Sequence, residues 1–129
     1  MDKCYCGSDQ LFSACCKPYL QGKAAPTAEA LMRSRYTAYV KRDAAYLHRT
    51  WAAETRPSKS QLLGMAKSEW LGLQIVRTEQ GTGQDQAGLV EFIARYHEQG
   101  VVQELHEVSL FRREKGRWVY FRALETALN

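Results

Sequence analysis

The stretch Ala87-Gly88-Leu89-Val90-Glu91-Phe92-Ile93-Ala94-Arg95-Tyr96-His97 is followed, after Gly100, by a run from Val101 to Arg113 and, after Lys115-Gly116, by one from Arg117 to Ala123. Each run is rich in β-branched and aromatic residues and bounded by turn formers, the pattern of a strand. Upstream, Trp70-Leu71-Gly72-Leu73-Gln74-Ile75-Val76 has the same character, and Gly81-Thr82-Gly83-Gln84-Asp85 turns the chain before Ala87. A parallel pairing needs a crossover of about a dozen residues or more, so connections this short predict four strands in an antiparallel meander.

Alternation along these strands sorts the side chains. Val90, Phe92, Ala94 and Tyr96 share one face, with Glu91, Ile93 and Arg95 on the other; His106, Val108 and Leu110 lie opposite Leu105, Glu107, Ser109 and Phe111. If the sheet curls, some of Glu91, Arg95, Glu107 and Ser109 point into a concave pocket, where a carboxylate has a shifted pKa. A small-ligand or general-base site built from Arg95, His106, Glu107 and Ser109 is therefore one expectation. The simpler reading, a cross-strand Arg–Glu pair beside a solvated histidine, is favoured because no nucleophile, metal triad or phosphate loop accompanies these groups.

The chain before the strands is helical in pattern. Thr27 caps a predicted helix over Ala28–Lys41, with Glu29 in its first turn and an apolar stripe of Leu31, Met32, Tyr36, Tyr39 and Val40 opposite Arg33, Lys41 and Arg42. Asp43 caps a second helix, Ala44 to Trp51, and Pro57-Ser58 opens a third carrying Leu62, Leu63 and Met65. Helices followed by antiparallel strands make an α+β fold. The basic run Arg33-Ser34-Arg35-Tyr36 with Lys41-Arg42 is read as a solvated helix face before it is read as a nucleic-acid surface, since few basic groups share the face and aromatic interleaving is absent. Gly81, Gly83 and Gly88 open no helix and form no phosphate-binding fingerprint. Trp51, Trp70 and Trp118 are expected in the core or at its edge, and His48 and His97 lack a carboxylate–histidine pattern for a metal.

All four cysteines fall within the first twenty residues, as Cys4, Cys6, Cys15 and Cys16. A chain of 129 residues, 45% hydrophobic and 25% charged, is long enough to fold as one domain without staples. The cysteines therefore serve their own segment, separated from the rest by Gln21-Gly22-Lys23-Ala24-Ala25-Pro26. Four thiolates this close suit one tetrahedral Zn2+, a closed site with a structural role. Disulfides are the weaker reading, because a bridge between adjacent residues is strained and the N-terminus shows no signal peptide, which points to the cytoplasm. An iron–sulfur cluster is a minor competitor. Gly7 permits the turn after the first pair, and Ser8 or Asp9 is expected to start the helical turn that delivers Cys15 and Cys16. No apolar run approaches the ~20 residues of a membrane span, and a formal charge of +4 permits nucleic-acid contact without arguing for it.

Cys4-Tyr5-Cys6-Gly7-Ser8 with Phe12 and Cys15-Cys16 resembles the SEC-C zinc motif, which also ends the SecA translocase ATPase; there the last ligand is commonly histidine, and here it is Cys16. Leu31-Met32-Arg33-Ser34-Arg35-Tyr36-Thr37-Ala38-Tyr39, Glu69-Trp70-Leu71-Gly72-Leu73, His106-Glu107, Ser109, Phe111 and Gly116-Arg117-Trp118 extend the likeness to the YchJ-like SEC-C family over nearly the whole chain. The resemblance implies a zinc knuckle over residues 1–20 in front of a domain like nuclear transport factor 2 over residues 27–125, with about three helices packed on a curved four-stranded sheet to form a cone. It implies no single function, since that cone hosts enzymes and binding modules alike. The leading expectation is a non-enzymatic adaptor whose knuckle meets a protein partner through Tyr5, Phe12, Lys17 and Tyr19. By the likeness to the SecA tail, the partner class is a SecB-like chaperone or the ribosome. The alternative is a small ligand, or an enzymatic reaction, in the cone.

Overall fold

A computed structural model describes residues 2–128. After a 3-10 turn at Phe12–Ala14 come four helices, α1 (Lys17–Leu20), α2 (Ala28–Lys41), α3 (Ala44–Arg49) and α4 (Lys59–Met65), then four strands, β1 (Glu69–Gln80), β2 (Ala87–Glu98), β3 (Val101–Glu114) and β4 (Arg117–Leu128). The strands form one antiparallel sheet in the order β1-β2-β3-β4. The meander predicted from the short connections is the observed one. Two of its hairpins turn on residue pairs with positive φ, Gln99 (51°) with Gly100 (81°) and Lys115 (52°) with Gly116 (81°), a turn geometry whose twist matches that of the flanking strands.

The helix starts agree with their caps. Thr27 Oγ1 accepts from the Ala30 N–H at 3.0 Å, Asp43 Oδ1 from the Tyr46 N–H at 3.0 Å, and Ser58 with Gln61 closes a capping box. The knuckle turn begins later than expected. Asp9 has a left-handed φ of 66° and Ser8 Oγ accepts from the Gln10 N–H at 3.3 Å, so the helical turn starts only at Phe12. The strands β1 and β4 run longer than their apolar runs, to Gln80 and Leu128, and α3 ends at Arg49. Beyond it the chain joins the sheet edge: the Tyr120 N–H donates to Thr50 O and the Ala52 N–H to Tyr120 O, both at 2.8 Å.

Register shifts at Trp70/Gly72 and Ile75/Arg77 in β1, and between Val108 and Phe111 where β3 pairs with β4, bend the sheet, as extra residues in a ladder do. Helix α2 lies in the concavity. It is buried on more than one side: besides Ala28, Leu31, Met32, Tyr36 and Ala38, the polar Ser34, Arg35 and Thr37 are all enclosed. One apolar cluster joins Leu31, Met32 and Tyr36 of α2 to Val90, Phe92, Ala94, Phe111 and Trp118 of the sheet and to Cys4, Cys6 and Cys16. A second gathers Ala38, Ala44, Tyr46, Leu47 and Leu62 between α2, α3 and α4. Among the described residues no helix is long and apolar enough to cross a membrane.

Candidate functional site

Two constellations stand out. In the first, the ligand-capable sulfurs of Cys4, Cys6, Cys15 and Cys16 all lie within 4.8 Å of one another, and among the described residues this is the one cluster of three or more His, Cys, Asp or Glu side chains that could hold a metal ion. Cys6 Sγ is 3.6 Å from Cys15 Sγ, and Cys15 Sγ is 4.0 Å from Cys16 Sγ. A tetrahedron of 2.3 Å metal–sulfur bonds has edges of about 3.8 Å, so these two pairs already stand at the separation such an ion needs and no pair is farther apart than 4.8 Å. None of the four is in a disulfide.

The charge a thiolate cluster carries is met from α2. Arg33 Nη1 donates to Cys6 O at 2.9 Å and to Cys6 Sγ at 3.9 Å while its Nε pairs with Glu29 at 3.0 Å, and Thr37 Oγ1 lies 3.8 Å from Cys4 Sγ. The Cys6 thiol is held down at about 4, chiefly by the hydrogen bond from Cys16. Burial pushes Cys15 up to about 11, and Cys16 is driven up by its role as that donor. A dication on this cluster would displace the protons its sulfurs carry.

The second constellation is a cavity of about 320 Å3 inside the cone. Its walls are aromatic: Tyr36 and Tyr39 of α2, Trp51 after α3, and Trp70, Phe92, Tyr96 and Tyr120 of the sheet. The rings stack edge-on or tilted, Trp70 against Tyr39 at 5.7 Å and Tyr96 at 5.2 Å, Trp51 against Tyr120 at 4.8 Å. Met65, Ser68 and Glu98 also line it, and the exposed Met65 and Glu98 mark its mouth. Burial pushes Tyr36 up to about 12 and raises Tyr39 and Tyr120, so all three hydroxyls keep their protons near neutral pH.

Two charges sit among these rings. Arg35, 3% exposed, spends Nη1 on Leu47 O at 3.0 Å and Thr50 Oγ1 at 2.8 Å, and its guanidinium carbon lies 4.9 Å from the centroids of both Trp51 and Tyr120. Burial lowers its pKa, and the two π faces offset part of that cost. Glu107 accepts through Oε2 from Ser109 Oγ and, at 3.2 Å, from the Tyr120 hydroxyl.

Of the four residues expected in the cone, Glu107 and Ser109 line the cavity, and Arg95 and His106 do not. His106 stands opposite Ile93 on the outer face, where its Nε2 meets Glu91 Oε2 at 2.6 Å and Glu91 Oε1 meets Arg77 Nε at 2.6 Å. Arg95 pairs there with Glu104 at 2.7 Å. The alternation of β2 and β3 forces this, because residues of one parity cannot reach both faces. Tyr39, Tyr120 and above all Arg35 complete the cavity, and the sequence reading did not include them in it. Their signal was present: Leu31, Arg35 and Tyr39 follow one another at i, i+4 and i+8, so Arg35 sits within the apolar stripe of α2.

The basic run on α2 is only partly the solvated face expected: Lys41 and Arg42 are exposed, and the two arginines before them are not free. Arg33 is turned to Cys6, Arg35 is buried, and Lys41 Nζ lies 5.6 and 5.3 Å from the Tyr5 and Phe12 rings. Of the residues expected to meet a partner, Tyr5 is 48% exposed and packs edge-on against Phe12 at 5.6 Å; Lys17 is exposed, and Tyr19 is half-buried against the second apolar cluster. His48 is half-buried on α3, and His97 Nδ1 is 3.9 Å from Glu69. Trp70 and Trp118 each bury an indole N–H that has no acceptor among the described residues.

A family profile described as YchJ, middle NTF2-like domain, matches residues 27–123. The chain belongs to the YchJ-like family. UPF0225 proteins of Chromobacterium violaceum, Xanthomonas oryzae and Streptomyces coelicolor are each 46% identical to it, over 94%, 95% and 91% of this chain and 91%, 94% and 90% of their own lengths. Two solved structures share the fold. The solution structure of a SEC-C motif containing protein from Rhodopseudomonas palustris gives a TM-score of 0.84 at 36% identity, covering 93% of this chain and 95% of that one. The crystal structure of a SEC-C motif containing protein from Psychrobacter arcticus gives 0.79 at 26% identity, covering 92% and 79%. A YchJ-like chain thus joins a metal-compatible SEC-C cluster to an NTF2-like cone.

Proposed function

We propose that this YchJ-like protein binds a small organic ligand in its cone, and that one Zn2+ on Cys4, Cys6, Cys15 and Cys16 serves as a structural clamp. The observation that carries the reading is the aromatic cavity of about 320 Å3 with a buried arginine and a carboxylate in its wall. That volume is at the lower end for small-molecule sites, and a few polar groups among apolar walls are what fixes a ligand's orientation. The cluster with four sulfurs leaves no open coordination position, which suits zinc in a structural role and not a catalytic one. Free thiolates also call for a reducing compartment, in keeping with the cytoplasm.

The test is a ligand screen by thermal shift on the metal-loaded chain, repeated on Ala94→Leu, which adds bulk to the cavity wall. Compounds that raise the melting point of the parent and leave that of the variant unmoved support the reading. A screen in which no compound shifts the parent, or every shift persists in the variant, overturns it. Zinc itself is read by elemental analysis, with one atom per chain expected; iron in its place would reverse the metal assignment.

A second reading is favoured by one observation, the exposed Tyr5 ring packed edge-on against Phe12 beside Lys41. We infer from it a docking point for a protein partner with apolar and acidic groups, and the resemblance to the SecA tail selects a SecB-like chaperone or the ribosome for trial. Co-sedimentation with ribosomes and capture on immobilised SecB, each compared with Tyr5→Ala, decide the matter. Retention that the substitution leaves unchanged, or no retention of the parent, removes this reading.

A further inference from the structure

The polar groups of the cavity say which ligands it suits, granted the small-ligand reading above. Arginine carries five N–H donors. Nη1 of Arg35 is committed to Leu47 O and Thr50 Oγ1, the Tyr39 hydroxyl stands within hydrogen-bonding reach of the guanidinium, and Nε and Nη2 make no further hydrogen bond among the described residues. Arg35 is a wall residue of the cavity, so its remaining edge is the donor a ligand can meet. Glu107 is arranged in the reverse sense. Its Oε2 is saturated by Ser109 and Tyr120, and Oε1 accepts from no group among the described residues. One ring connects the two: the Arg35 guanidinium lies over the Tyr120 face, and Glu107 is bonded to the Tyr120 hydroxyl. The charges flank that ring without forming an ion pair, so the cavity offers a donor and an acceptor side by side.

Charge selects among ligands. An anion would satisfy Arg35 but would lie near Glu107, with Glu98 at the mouth adding to the repulsion. A cation would satisfy Glu107 at the expense of Arg35, and a zwitterion would bring two charges out of water into aromatic walls. An uncharged group that accepts from Arg35 and donates to Glu107 leaves the balance as it stands. The walls ask that it be flat, because rings stack on rings.

We propose that the cavity binds a small planar cyclic amide, a one- or two-ring lactam whose C=O accepts from Arg35 and whose adjacent N–H donates to Glu107. The experiment titrates the full, metal-loaded chain with 2-quinolone, with quinoline, which keeps the rings and an acceptor but lacks the adjacent N–H, and with the anion 2-naphthoate. Affinity is followed by the indole N–H signals of Trp51 and Trp70. A missed hydrogen bond to a charged group in such a site costs roughly tenfold or more in affinity, so 2-quinolone is expected to bind about tenfold tighter than either relative.

Glu107→Gln sharpens the test. The glutamine carbonyl can still accept from Ser109 and Tyr120, but its NH2 then replaces the free acceptor with a donor, so 2-quinolone should weaken about tenfold while 2-naphthoate tightens. If 2-naphthoate binds the parent best, or quinoline matches 2-quinolone, the lactam assignment is overturned and the cavity remains a ligand site. If none of the three moves the indole signals at its solubility limit, the lactam assignment is overturned, and the thermal-shift screen alone decides the small-ligand reading. The ranking on the parent chain decides by itself should the variant not fold.

Discussion

Arg35 occupies the i+4 position between Leu31 and Tyr39, where the periodicity of α2 calls for an apolar side chain. In the sequence, Arg33-Ser34-Arg35-Tyr36 looks like one basic surface run. In the fold its two arginines turn to different partners, Arg33 to the Cys6 carbonyl and Arg35 to Leu47 and Thr50 between two aromatic rings. An arginine stem packs as an aliphatic chain, so the residue name does not disclose burial; helical spacing does. Replacing Arg35 by methionine keeps most of the stem and removes the guanidinium, which leaves the buried Leu47 carbonyl without that donor and both rings without their cation. A loss of about 1–3 kcal/mol of stability is expected, read as a lowered urea midpoint at unchanged slope. A midpoint equal to that of the parent would mean that the bonds of this charge do no more than offset its burial. The outer-face histidine teaches the complementary lesson: His106 and Glu107 are neighbours in sequence, and strand geometry sends one to Glu91 outside and the other to the cavity.

At the scale of elements, the meander, its turns and the helix caps were legible because they depend on local chemistry: positive φ at Gly100 and Gly116, side-chain acceptors at Thr27, Asp43 and Ser58. The full lengths of β1 and β4 were not. Arg77-Thr78-Glu79-Gln80 is polar and exposed, and it is held as strand by backbone pairing with Gly88 to Glu91 rather than by an apolar pattern. The enclosure of α2 was also invisible, since which elements surround a helix is a tertiary matter. The glycines of the β1–β2 connection, silent as a phosphate motif, have a steric role there. Gly81, at φ 82°, passes its carbonyl to the Ala28 N–H at 2.9 Å, and a Cβ on Gly88 would lie 2.4 Å from Gly81 Cα. That overlap is with backbone, which cannot swing aside. Gly88→Ala should therefore cost more than about 2 kcal/mol, measured by chemical denaturation, with amide-exchange protection falling first at the start of α2. An alanine variant as stable as the parent would show that the hairpin and α2 are free to separate.

At the scale of the whole molecule, the cysteine segment and the cone share one interior. The spacing of Cys4, Cys6, Cys15 and Cys16 disclosed a metal-compatible cluster, but sequence separation from the cone suggested an appendage behind a connector. Cys4, Cys6 and Cys16 instead belong to the same apolar cluster as Leu31, Phe92 and Trp118, Arg33 reaches from α2 to Cys6, and a Cβ on Gly7 would stand 3.1 Å from Leu73 O on β1. Removing the proposed metal would then do more than free twenty residues. Four sulfurs left without a dication would be pressed against the middle of α2 and the first strand, and the free energy of metal binding, which acts only on the folded chain, would be lost from the stability of the whole. Chelation at neutral pH is expected to lower the melting temperature by about 10 °C or more and to raise amide exchange in α2 and β1 along with residues 2–20. Cys16→Ser should fall in the same direction, and excess zinc should restore the parent but not the variant. Exchange that increases in residues 2–20 alone, with α2 and Leu73 as protected as before, would show instead that the cone stands without its clamp, and the cavity would then owe nothing to the metal.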